Sequence, residues 1–315
     1  MAPQVVVLAG GTGGFGRYIT EEITKTPDYS VVILTRSQPP PWATHSRVIT
    51  HQTDYTVDSL VAILNTYRAT ALLSLVRCPN NDYIPLHTNL LNACLTSDTC
   101  KRFIPSEWAG NIDEFPNLPR SYGLTRAPFR ETLREASSKN NLQWTIFNFG
   151  WFADYFLPMD KTYLAYIPGE FPIDQPTWTY SVKGSGDELQ SWTWSRDVAR
   201  AVVLLLGKEI WEPVTYASSE WGTFNEGAKM VEKHFDRPLK REHRSREQIL
   251  ADVEHQLTVP DEENVSLAEL EESTILGAIC CPREKTLRQR EEYFAGMKFV
   301  ELKELLAMAE EEGFH

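Results

Sequence analysis

Short runs of apolar residues alternate with longer segments of helical period along the first half of the chain. Six runs are predicted to be β-strands, because mostly apolar runs of this length are typical of strands covered on both faces. They are residues 4–9, 31–35, 47–50, 70–75, 102–105 and 143–148. Predicted helices lie between them, around residues 15–25, 57–67, 82–96 and 125–137. Strands joined by helices indicate a doubly wound α/β fold with a parallel sheet.

The pattern changes after Asn148. Prolines at positions 158, 168, 172 and 176 interrupt an aromatic-rich stretch that cannot form one long helix. We therefore predict a first domain over residues 1–155, completed by returning elements at about 192–218. A smaller region is predicted over residues 156–315.

Several signals place elements after this change. A helix is predicted over residues 195–206 and a strand over residues 214–217. Thr223 and Glu226 have the spacing of a capping box that opens a further helix. The remainder is rich in Glu, Lys and Leu, so we predict that it is mostly helical and ends with a helix over residues 299–309.

The composition is that of an ordinary globular protein with an acidic surface. The chain has 315 residues, and 31 Lys and Arg against 43 Asp and Glu give a formal net charge of -12. This charge repels phosphate backbones, so no nucleic-acid partner is expected. The sequence shows neither a long apolar span nor a basic, cleavable leader, so we expect no membrane partner and a cytoplasmic location.

The cysteines and histidines do not follow the patterns of metal or disulfide sites. The five cysteines, at positions 78, 94, 100, 280 and 281, are irregularly spaced and are predicted to be reduced thiols. The seven histidines form no HExxH motif, and no GxSxG motif is present. We therefore expect no bound metal and neither metal-dependent nor serine hydrolysis.

Five glycines lie within residues 10–16, between the first predicted strand and the first predicted helix. A tight turn, a nearby pyrophosphate and close helix packing each require a residue without Cβ, and helix-start amides bind anions. The pattern predicts an NAD(P)-binding Rossmann domain. The turn residues expected to bind the cofactor are Gly10, Thr12, Gly13, Gly14, Phe15 and Gly16. A glycine turn required only for packing is the alternative.

Arg36 directly follows the second predicted strand, 20 residues after Gly16. NAD enzymes usually place Asp or Glu at this distance to bind the ribose hydroxyls. A guanidinium instead matches the oxygens of a 2′-phosphate, so the sequence favours NADP(H). A solvated arginine is the alternative.

The stretch KRFIPSEWAGNID, from Lys101 to Asp113, resembles the isoflavone reductase-like and NmrA-like branch of the atypical short-chain dehydrogenases/reductases. The GGTGGFG turn, FNFGWFADYFLP from Phe147, SWTWSRDVARAVVLLL from Ser191 and a block from Thr223 extend the resemblance in the same order. It implies a Rossmann fold with a smaller, mostly helical C-terminal substrate-binding region. It also implies two function classes, because the family contains NADPH-dependent reductases of phenolic or conjugated molecules and regulators that bind the dinucleotide without turnover.

In reductases of this family, a lysine on the helix after the fifth strand lies beside the nicotinamide and the substrate oxygen. Its position corresponds to Arg126. Because arginine stays protonated, we expect Arg126 to bind a ribose hydroxyl or to stabilise charge on an oxygen, not to donate a proton. Tyr122, four residues earlier, is the candidate proton donor, because the two would share a helix face and a cation lowers a phenol's pKa. An accidental pair is the alternative.

Ser74 ends the fourth predicted strand, and Ser106 follows the core of the fifth. Both are expected to bind the cofactor, since the carboxyl edge of a doubly wound sheet meets the dinucleotide. The resemblance places Ser106 and Glu107 near the nicotinamide, and Glu107 is predicted to contact substrate. For Ser106 and Glu107, the alternative is that they cap and hydrogen-bond the following loop.

Aromatic side chains are dense after the sixth predicted strand. Phe149, Phe152 and Tyr155 are predicted to form one wall of a substrate pocket for a flat ligand. Burial in the hydrophobic core is the alternative.

These features predict an NADP-dependent oxidoreductase that reduces a small aromatic or conjugated, phenolic or quinone-like metabolite in secondary-metabolite biosynthesis. Two alternatives stay open. One is an NmrA-like NAD(P)-sensing regulator that acts on a protein partner without turnover. The other is a non-redox isomerase, cyclase or lyase on the same fold.

Overall fold

The computed structural model describes residues 3–108, 110–258 and 266–315. Its elements follow in chain order as β1 (Gln4–Ala9), α1 (Gly14–Lys25), β2 (Tyr29–Thr35), β3 (Val48–Gln52), α2 (Val57–Thr66), β4 (Ala69–Ser74), α3 (Asn80–Thr96), β5 (Arg102–Ile104), α4 (Arg120–Lys139), β6 (Gln143–Trp144), β7 (Ile146–Asn148), β8 (Trp151–Phe152), β9 (Ile173–Asp174), β10 (Thr179–Lys183), β11 (Leu189–Thr193), α5 (Ser195–Leu206), β12 (Val214–Tyr216), β13 (Glu220–Thr223), α6 (Phe224–Phe235), β14 (Lys240–Arg244), α7 (Arg246–Thr258), α8 (Leu267–Ile275), α9 (Arg283–Tyr293) and α10 (Leu302–Met308). Short 3-10 helices cover Ala153–Phe156 and Met159–Lys161.

The chain divides into two compact units. The first unit consists of Met1–Trp108, Thr125–Phe147 and Ala199–Thr215. The second unit consists of Ala109–Leu124, Asn148–Val198 and Tyr216–His315.

A six-stranded parallel sheet forms the centre of the first unit, in the order β3-β2-β1-β4-β5-β6. Strand β1 pairs with β2 from Gln4 opposite Tyr29 to Ala9 opposite Leu34. Its residues from Val6 onward are fully buried, as expected of a strand covered on both faces. The strand order reverses between β1 and β4, and in such sheets this point opens a crevice at the carboxyl ends of the strands. The predicted doubly wound α/β Rossmann fold is confirmed.

The predicted strand over residues 143–148 is two strands, β6 and β7. The amide of Thr145 still donates to the carbonyl of Phe103 in β5, at 3.3 Å. The next amide, that of Ile146, donates instead to the carbonyl of Pro213, at 2.9 Å, and β7 pairs with β12. The chain thus changes hydrogen-bonding partner within one apolar run. Hydrophobic pattern cannot reveal such a change, because both segments carry buried apolar side chains.

Helix α4 begins at Arg120, five residues before the predicted start. Pro119 precedes it directly, and the fixed φ of proline suits the entry to a helix. Gly123, which has a low helix propensity, lies in the early turns and obscures the helical pattern. The earlier start places Tyr122 in the first turn of the helix.

The last helix, α10, is shorter than the predicted 299–309. Residues before Leu302 use their amides for other bonds: Val300 N donates to buried Asp197 Oδ2 at 2.6 Å. The amide of Leu302 itself donates to Glu220 Oε2 at 2.8 Å. These two carboxylates hold the entry to the helix and delay its start.

The second unit contains two three-stranded sheets that the sequence pattern did not predict, in the orders β14-β10-β9 and β13-β11-β8. Their strands are two to five residues long. Strand β14 has the sequence KREHR, which has no apolar position to signal a strand. Around these sheets lies a core rich in large aromatic rings, which includes Trp151, Phe156, Trp192 and Phe224. Within the described residues, no helix is both long and apolar enough to cross a membrane.

The predicted capping box at the start of α6 is confirmed. Thr223 Oγ1 accepts from the amide of Glu226 at 3.1 Å, and Glu226 Oε2 accepts from the amide of Thr223 at 2.8 Å. Each side chain therefore satisfies a backbone amide that the helix leaves unpaired.

Thr223→Val should lower the free energy of unfolding by about 1 kcal/mol, because it removes the capping oxygen and keeps the side-chain shape. Urea denaturation measures the change. Thr223→Ser, which keeps the oxygen, is the matched control and should stay within about 0.5 kcal/mol of the parent. Equal stability of the Val and Ser variants would show that the cap contributes nothing.

Candidate active site

Backbone atoms leave no space for side chains at two of the glycines in the turn after β1. Gly10 has a φ of 73°, in the left-handed region. A Cβ there would also lie 2.9 Å from the backbone of Val76. A Cβ on Gly16 would overlap the carbonyl oxygen of Gly11. Close packing therefore accounts for both positions: Gly10 lies against the backbone that follows β4, and Gly16 brings α1 against the turn.

Gly13 is different, because packing does not require a glycine there. A Cβ at this position would meet no heavy atom within 4 Å, and the residue is exposed. Gly13 is the N-cap of α1, it provides no side-chain cap, and the first turn carries no acidic residue. The helix begins at Gly14 and Thr12 lies half-buried before the cap. Amides at a helix start can bind an anion, and the helix dipole favours negative charge there.

Trp108, in the loop after β5, connects three parts of the crevice edge. Its ring lies edge-to-face with Phe15, with centroids 5.3 Å apart. Its Nε1 donates to the carbonyl oxygen of Ser74 at 2.7 Å. Trp108 thus fixes the end of β4 relative to the start of α1. The motif around it pointed to this loop, but no local pattern predicted the contacts of the indole.

Ser74 and Ser106 lie together, and a buried histidine joins them. His87 Nε2 is 3.0 Å from Ser74 Oγ and accepts from the amide of Ser106 at 3.2 Å. His87 is fully buried on α3, so it is a site residue that the sequence analysis did not identify. Its only local signal is the i,i+4 spacing from Tyr83, which is common in helices.

The contacts of His87 fix its protonation state. Since a backbone amide can only donate, Nε2 must accept, and Nδ1 therefore carries the hydrogen. Nδ1 donates to the carbonyl oxygen of Tyr83 at 2.9 Å. Burial, together with the nearby charge of Arg126, lowers the pKa of His87 to about 3, although the hydrogen bond to Tyr83 opposes this shift. His87 is therefore a neutral acceptor at physiological pH.

Arg126 is buried, and α3 holds its guanidinium in place. Nη1 donates to Asn80 Oδ1 at 2.7 Å and to Thr125 Oγ1 at 2.9 Å. The guanidinium carbon lies 4.0 Å from the ring centroid of Tyr83, which also stacks on His87 with centroids 3.9 Å apart. A stack of three side chains thus links this cation to the serines at the ends of β4 and β5.

Tyr122 and Arg126 lie on the same helix, four residues apart. The amide of Tyr122 donates to the carbonyl of Pro119 at 2.8 Å. Residues next to Tyr122 anchor this first turn in the second unit: Arg120 pairs with Glu272, and Ser121 Oγ donates to Glu269 at 2.7 Å. The turn is therefore well fixed. The role of Tyr122 as a proton donor stays a prediction.

Glu107 forms a buried ion pair in the first unit. Arg130 Nη1 donates to its Oε1 at 2.6 Å, and both side chains are at most 5% exposed. Burial raises the pKa of the Glu107 carboxyl, and the charges of Arg130 and Arg126 oppose this rise. Among the described residues, Oε2 of Glu107 has no hydrogen-bond partner. The ion pair anchors the loop after β5, and contact of Glu107 with substrate stays a prediction.

Arg36 is exposed directly after β2. Its guanidinium carbon lies 5.7 Å from the ring centroid of Tyr55, and Gln52 Nε2 donates to its carbonyl oxygen at 3.1 Å. The side chain thus lies over an aromatic ring that also reaches the turn after β1. Tyr55 is a second residue that the sequence pattern did not identify.

The three predicted pocket aromatics lie together in the second unit. Phe149 and Phe152 have ring centroids 4.5 Å apart, and Phe152 and Tyr155 have centroids 6.0 Å apart. Phe149 is 1% exposed, whereas Phe152 and Tyr155 are partly exposed. Asn148, which precedes this row, is fully buried, and neither polar atom of its amide has a partner within the described residues. Such a group usually marks a bound water or the polar end of a ligand.

Two relatives share enough sequence with the chain to show which family it belongs to. The chain is 34% identical over 309 residues to oxidoreductase swnR of Arthroderma benhamiae, which covers 97% of each chain. It is 32% identical over 308 residues to oxidoreductase swnR of Metarhizium robertsii, again over 97% of each chain. The chain belongs to this oxidoreductase family. No protein-family model matches it.

Solved structures similar to this member of the swnR family show the same fold. The complex of leucoanthocyanidin reductase from Vitis vinifera with NADPH has a TM-score of 0.69 at 17% identity, over 97% of this chain and 99% of that chain. An isoflavone reductase has a TM-score of 0.66 at 16% identity, over 96% and 98%. The predicted resemblance to isoflavone reductase-like proteins is confirmed at the level of the fold.

Gly13→Ala and Gly16→Ala should separate ligand binding from packing. Gly13 has φ −77° and ψ 173°, which alanine adopts readily, so Gly13→Ala should change the free energy of unfolding by less than about 1 kcal/mol. It should nevertheless weaken binding of a nicotinamide dinucleotide about tenfold or more, since its methyl group occupies the approach to the helix start. Gly16→Ala should destabilise the fold by about 2 kcal/mol or more.

Urea denaturation and fluorescence titration with the dinucleotide measure the two effects. Unchanged affinity in a folded Gly13→Ala variant would contradict a diphosphate site at this turn.

The neutral His87 should make the protein sensitive to acid. Its pKa is about 3 in the fold against an ordinary 6.5, so the unfolded chain binds the proton more tightly. The stability that this shift contributes is fully present above pH 6.5 and is lost as the pH falls toward 3. The loss approaches about 1.4 kcal/mol per pH unit within that window.

His87→Gln removes this titration, so its free energy of unfolding should fall less steeply with acid than that of the parent. Urea midpoints between pH 7.5 and 5 give the slopes. His45→Gln, at an exposed position of the first unit, is the matched control and should keep the parent slope. Identical slopes for the His87→Gln variant and the parent would refute the buried neutral state.

Proposed function

We propose that the chain is an NADPH-dependent reductase of a small aromatic or conjugated metabolite. One observation carries the proposal: an open helix start at Gly13 and a buried, fixed cation at Arg126 are both built around the carboxyl edge of one parallel sheet. The first suits a dinucleotide diphosphate, and the second suits charge on a reacting oxygen. Membership in the swnR oxidoreductase family agrees with redox chemistry.

The first unit contains a group suited to each part of NADPH. Amides from Gly13 to Phe15 would hold the diphosphate, with the hydroxyl of Thr12 beside them. Arg36 would bind the 2′-phosphate, because its planar donors match phosphate oxygens. Ser74 and Ser106, aligned by His87, would line the nicotinamide end. When bound, NADPH supplies the hydride that reduces the substrate.

Arg126 would stabilise negative charge that develops on the substrate oxygen. Its guanidinium is fixed by Asn80 and stacked on Tyr83, so little reorganisation is needed during the reaction. It cannot act as the acid, because arginine does not lose its proton in proteins. His87 cannot act as the acid either, since it is neutral and its one N–H is bonded to a carbonyl.

The proton donor in this proposal is Tyr122, or a water that it orients. Phe149, Phe152 and Tyr155 would bind the flat face of the substrate, and Asn148 offers a buried amide to a polar substituent. Glu107 would contact the substrate, and the ion pair with Arg130 would hold the Glu107 carboxylate in place. The solved complex of leucoanthocyanidin reductase contains NADPH, which supports the choice of cofactor.

A cytoplasmic location is part of the proposal. The five cysteines all lie in the described part of the chain, and each is a buried free thiol. Burial raises the pKa of the Cys280 thiol to about 12 and that of Cys78 above its usual value, so these thiols are poorly reactive. Free thiols are typical of reducing compartments.

The decisive experiment follows deuterium from 4-deuterated NADPH, with both stereoisomers, into a panel of conjugated ketones, quinones and phenolic substrates. Mass spectrometry should detect label in a reduced product. Arg126→Met should lower kcat about 100-fold or more, because the fixed charge is lost. Arg126→Lys keeps a cation and should retain more activity than Arg126→Met.

Two outcomes would replace this proposal. Tight NADPH binding without label transfer across the panel would favour the regulator. Product formation without any nucleotide would favour an isomerase, cyclase or lyase. Arg126 agrees with this alternative, because it replaces the lysine that isoflavone reductase-like reductases have at this position.

A further inference from the structure

Tyr55 has a backbone conformation that is rare for a large side chain. It lies between β3 and α2 with a φ of 60°, in the left-handed region, and is 6% exposed. Bulky residues avoid this region because the Cβ approaches the following carbonyl. Such strain persists only where the surroundings hold it, and it is enriched at functional sites.

Two other side chains hold this backbone. Thr53 Oγ1 accepts from the amide of Tyr55 at 3.1 Å. Asn89, from α3, donates through Nδ2 to the carbonyl of Tyr55 at 3.1 Å. Side chains therefore satisfy both the backbone amide and the backbone carbonyl of Tyr55. One of these side chains, Asn89, is 34 positions away in the chain.

The hydroxyl of Tyr55 joins two segments of the crevice edge. It accepts from the amide of Gly10 at 3.2 Å and donates to the carbonyl of Leu34 at 3.3 Å. Gly10 opens the turn after β1, and Leu34 is two residues before Arg36. Burial raises the pKa of the Tyr55 phenol, so the hydroxyl keeps the hydrogen that it donates.

The ring of Tyr55 provides the surface beneath Arg36. With the guanidinium carbon 5.7 Å from the ring centroid, the pair is within the range of a cation–π interaction. An exposed arginine samples many rotamers, and a ring beneath it reduces the entropy lost when it binds a phosphate.

We propose that Tyr55 is a positioning residue that determines cofactor specificity. Its ring orients Arg36 toward the 2′-phosphate of NADP(H), and its hydroxyl keeps the turn after β1 in place for the diphosphate that NADP(H) and NAD(H) share. This inference rests on the proposed binding of NADP(H). It assigns separate tasks to the two parts of one side chain, so two substitutions can test them separately.

Tyr55→Asn removes the ring, and asparagine tolerates the left-handed backbone. It should weaken NADPH about three- to fivefold more than NADH, as expected for loss of one exposed cation–π contact. Tyr55→Phe keeps the ring and removes only the hydroxyl. It should weaken both nucleotides by similar factors and leave their affinity ratio unchanged.

The decisive test repeats the Tyr55→Asn substitution in a protein that already carries Arg36→Ala. If the ring acts through Arg36, then Tyr55→Asn should not change the NADPH/NADH affinity ratio further once Arg36 is absent. Fluorescence titration of the parent, the single variants and the double variant with both nucleotides measures this coupling. A merely structural role of Tyr55 would lower both affinities in either background.

Tyr67→Asn is the matched control. Tyr67 belongs to the same unit, and its ring contacts His51 rather than Arg36. It should leave the affinity ratio at the parent value. Tyr55→Leu, which fills more of the buried space, replaces Tyr55→Asn if the latter does not fold.

The outcomes separate this inference from the function it rests on. A parent protein that binds neither nucleotide would overturn the proposed function and, with it, the inference. A parent that prefers NADPH, with an unchanged ratio in the ring-less variant or the same shift without Arg36, would overturn the inference alone.

Discussion

The close approach between Gly16 and the carbonyl of Gly11 is the constraint on which the first unit depends. Without it, α1 could not begin immediately after the turn that follows β1, and its N-terminus would not face the carboxyl edge of the sheet. Gly10 adds the left-handed backbone that reverses the chain direction. Packing fixes these positions and leaves Gly13 open, so the same short segment combines a rigid turn with an accessible helix start.

The candidate site contains one neutral acceptor and two cations that lie over aromatic rings. His87 stays neutral because it is buried, and it aligns Ser74 and Ser106 as an acceptor. Arg126 and Arg36 each lie on an aromatic ring, Tyr83 in one case and Tyr55 in the other. A planar ring limits the rotation of a guanidinium and costs it little hydration. Preorganised charge of this kind is effective in binding and catalysis.

The sequence predicted the elements of the first unit well, because most of their strands lie in short apolar runs separated by segments of helical period. Elements with weak local signals were missed or misplaced. Strand β14 consists entirely of polar residues, and the first turn of α4 contains Gly123. The split between β6 and β7 depends on a change of pairing partner, which is a tertiary event.

Candidate site residues follow the same division. The glycine turn, Arg36 and the serines at strand ends have positions that the fold alone determines, so spacing was enough to predict where they lie, and their contact with a cofactor stays a prediction. His87 and Tyr55 act through contacts with residues 13 to 45 positions away. Their neighbours in the chain give no sign of these contacts, so only the folded arrangement identifies them.

The buried pair of Glu107 and Arg130 has an evolutionary consequence. Loss of either partner would leave an unpaired charge at a site that is at most 5% exposed. Such a loss typically costs about 3–5 kcal/mol, which is a large part of the stability of a domain. Replacing both by apolar residues of similar volume costs far less. Sequences that descend from this one can therefore lose the ion pair only when both residues are substituted together. A substitution at one position alone is selected against as long as the other residue stays ionised.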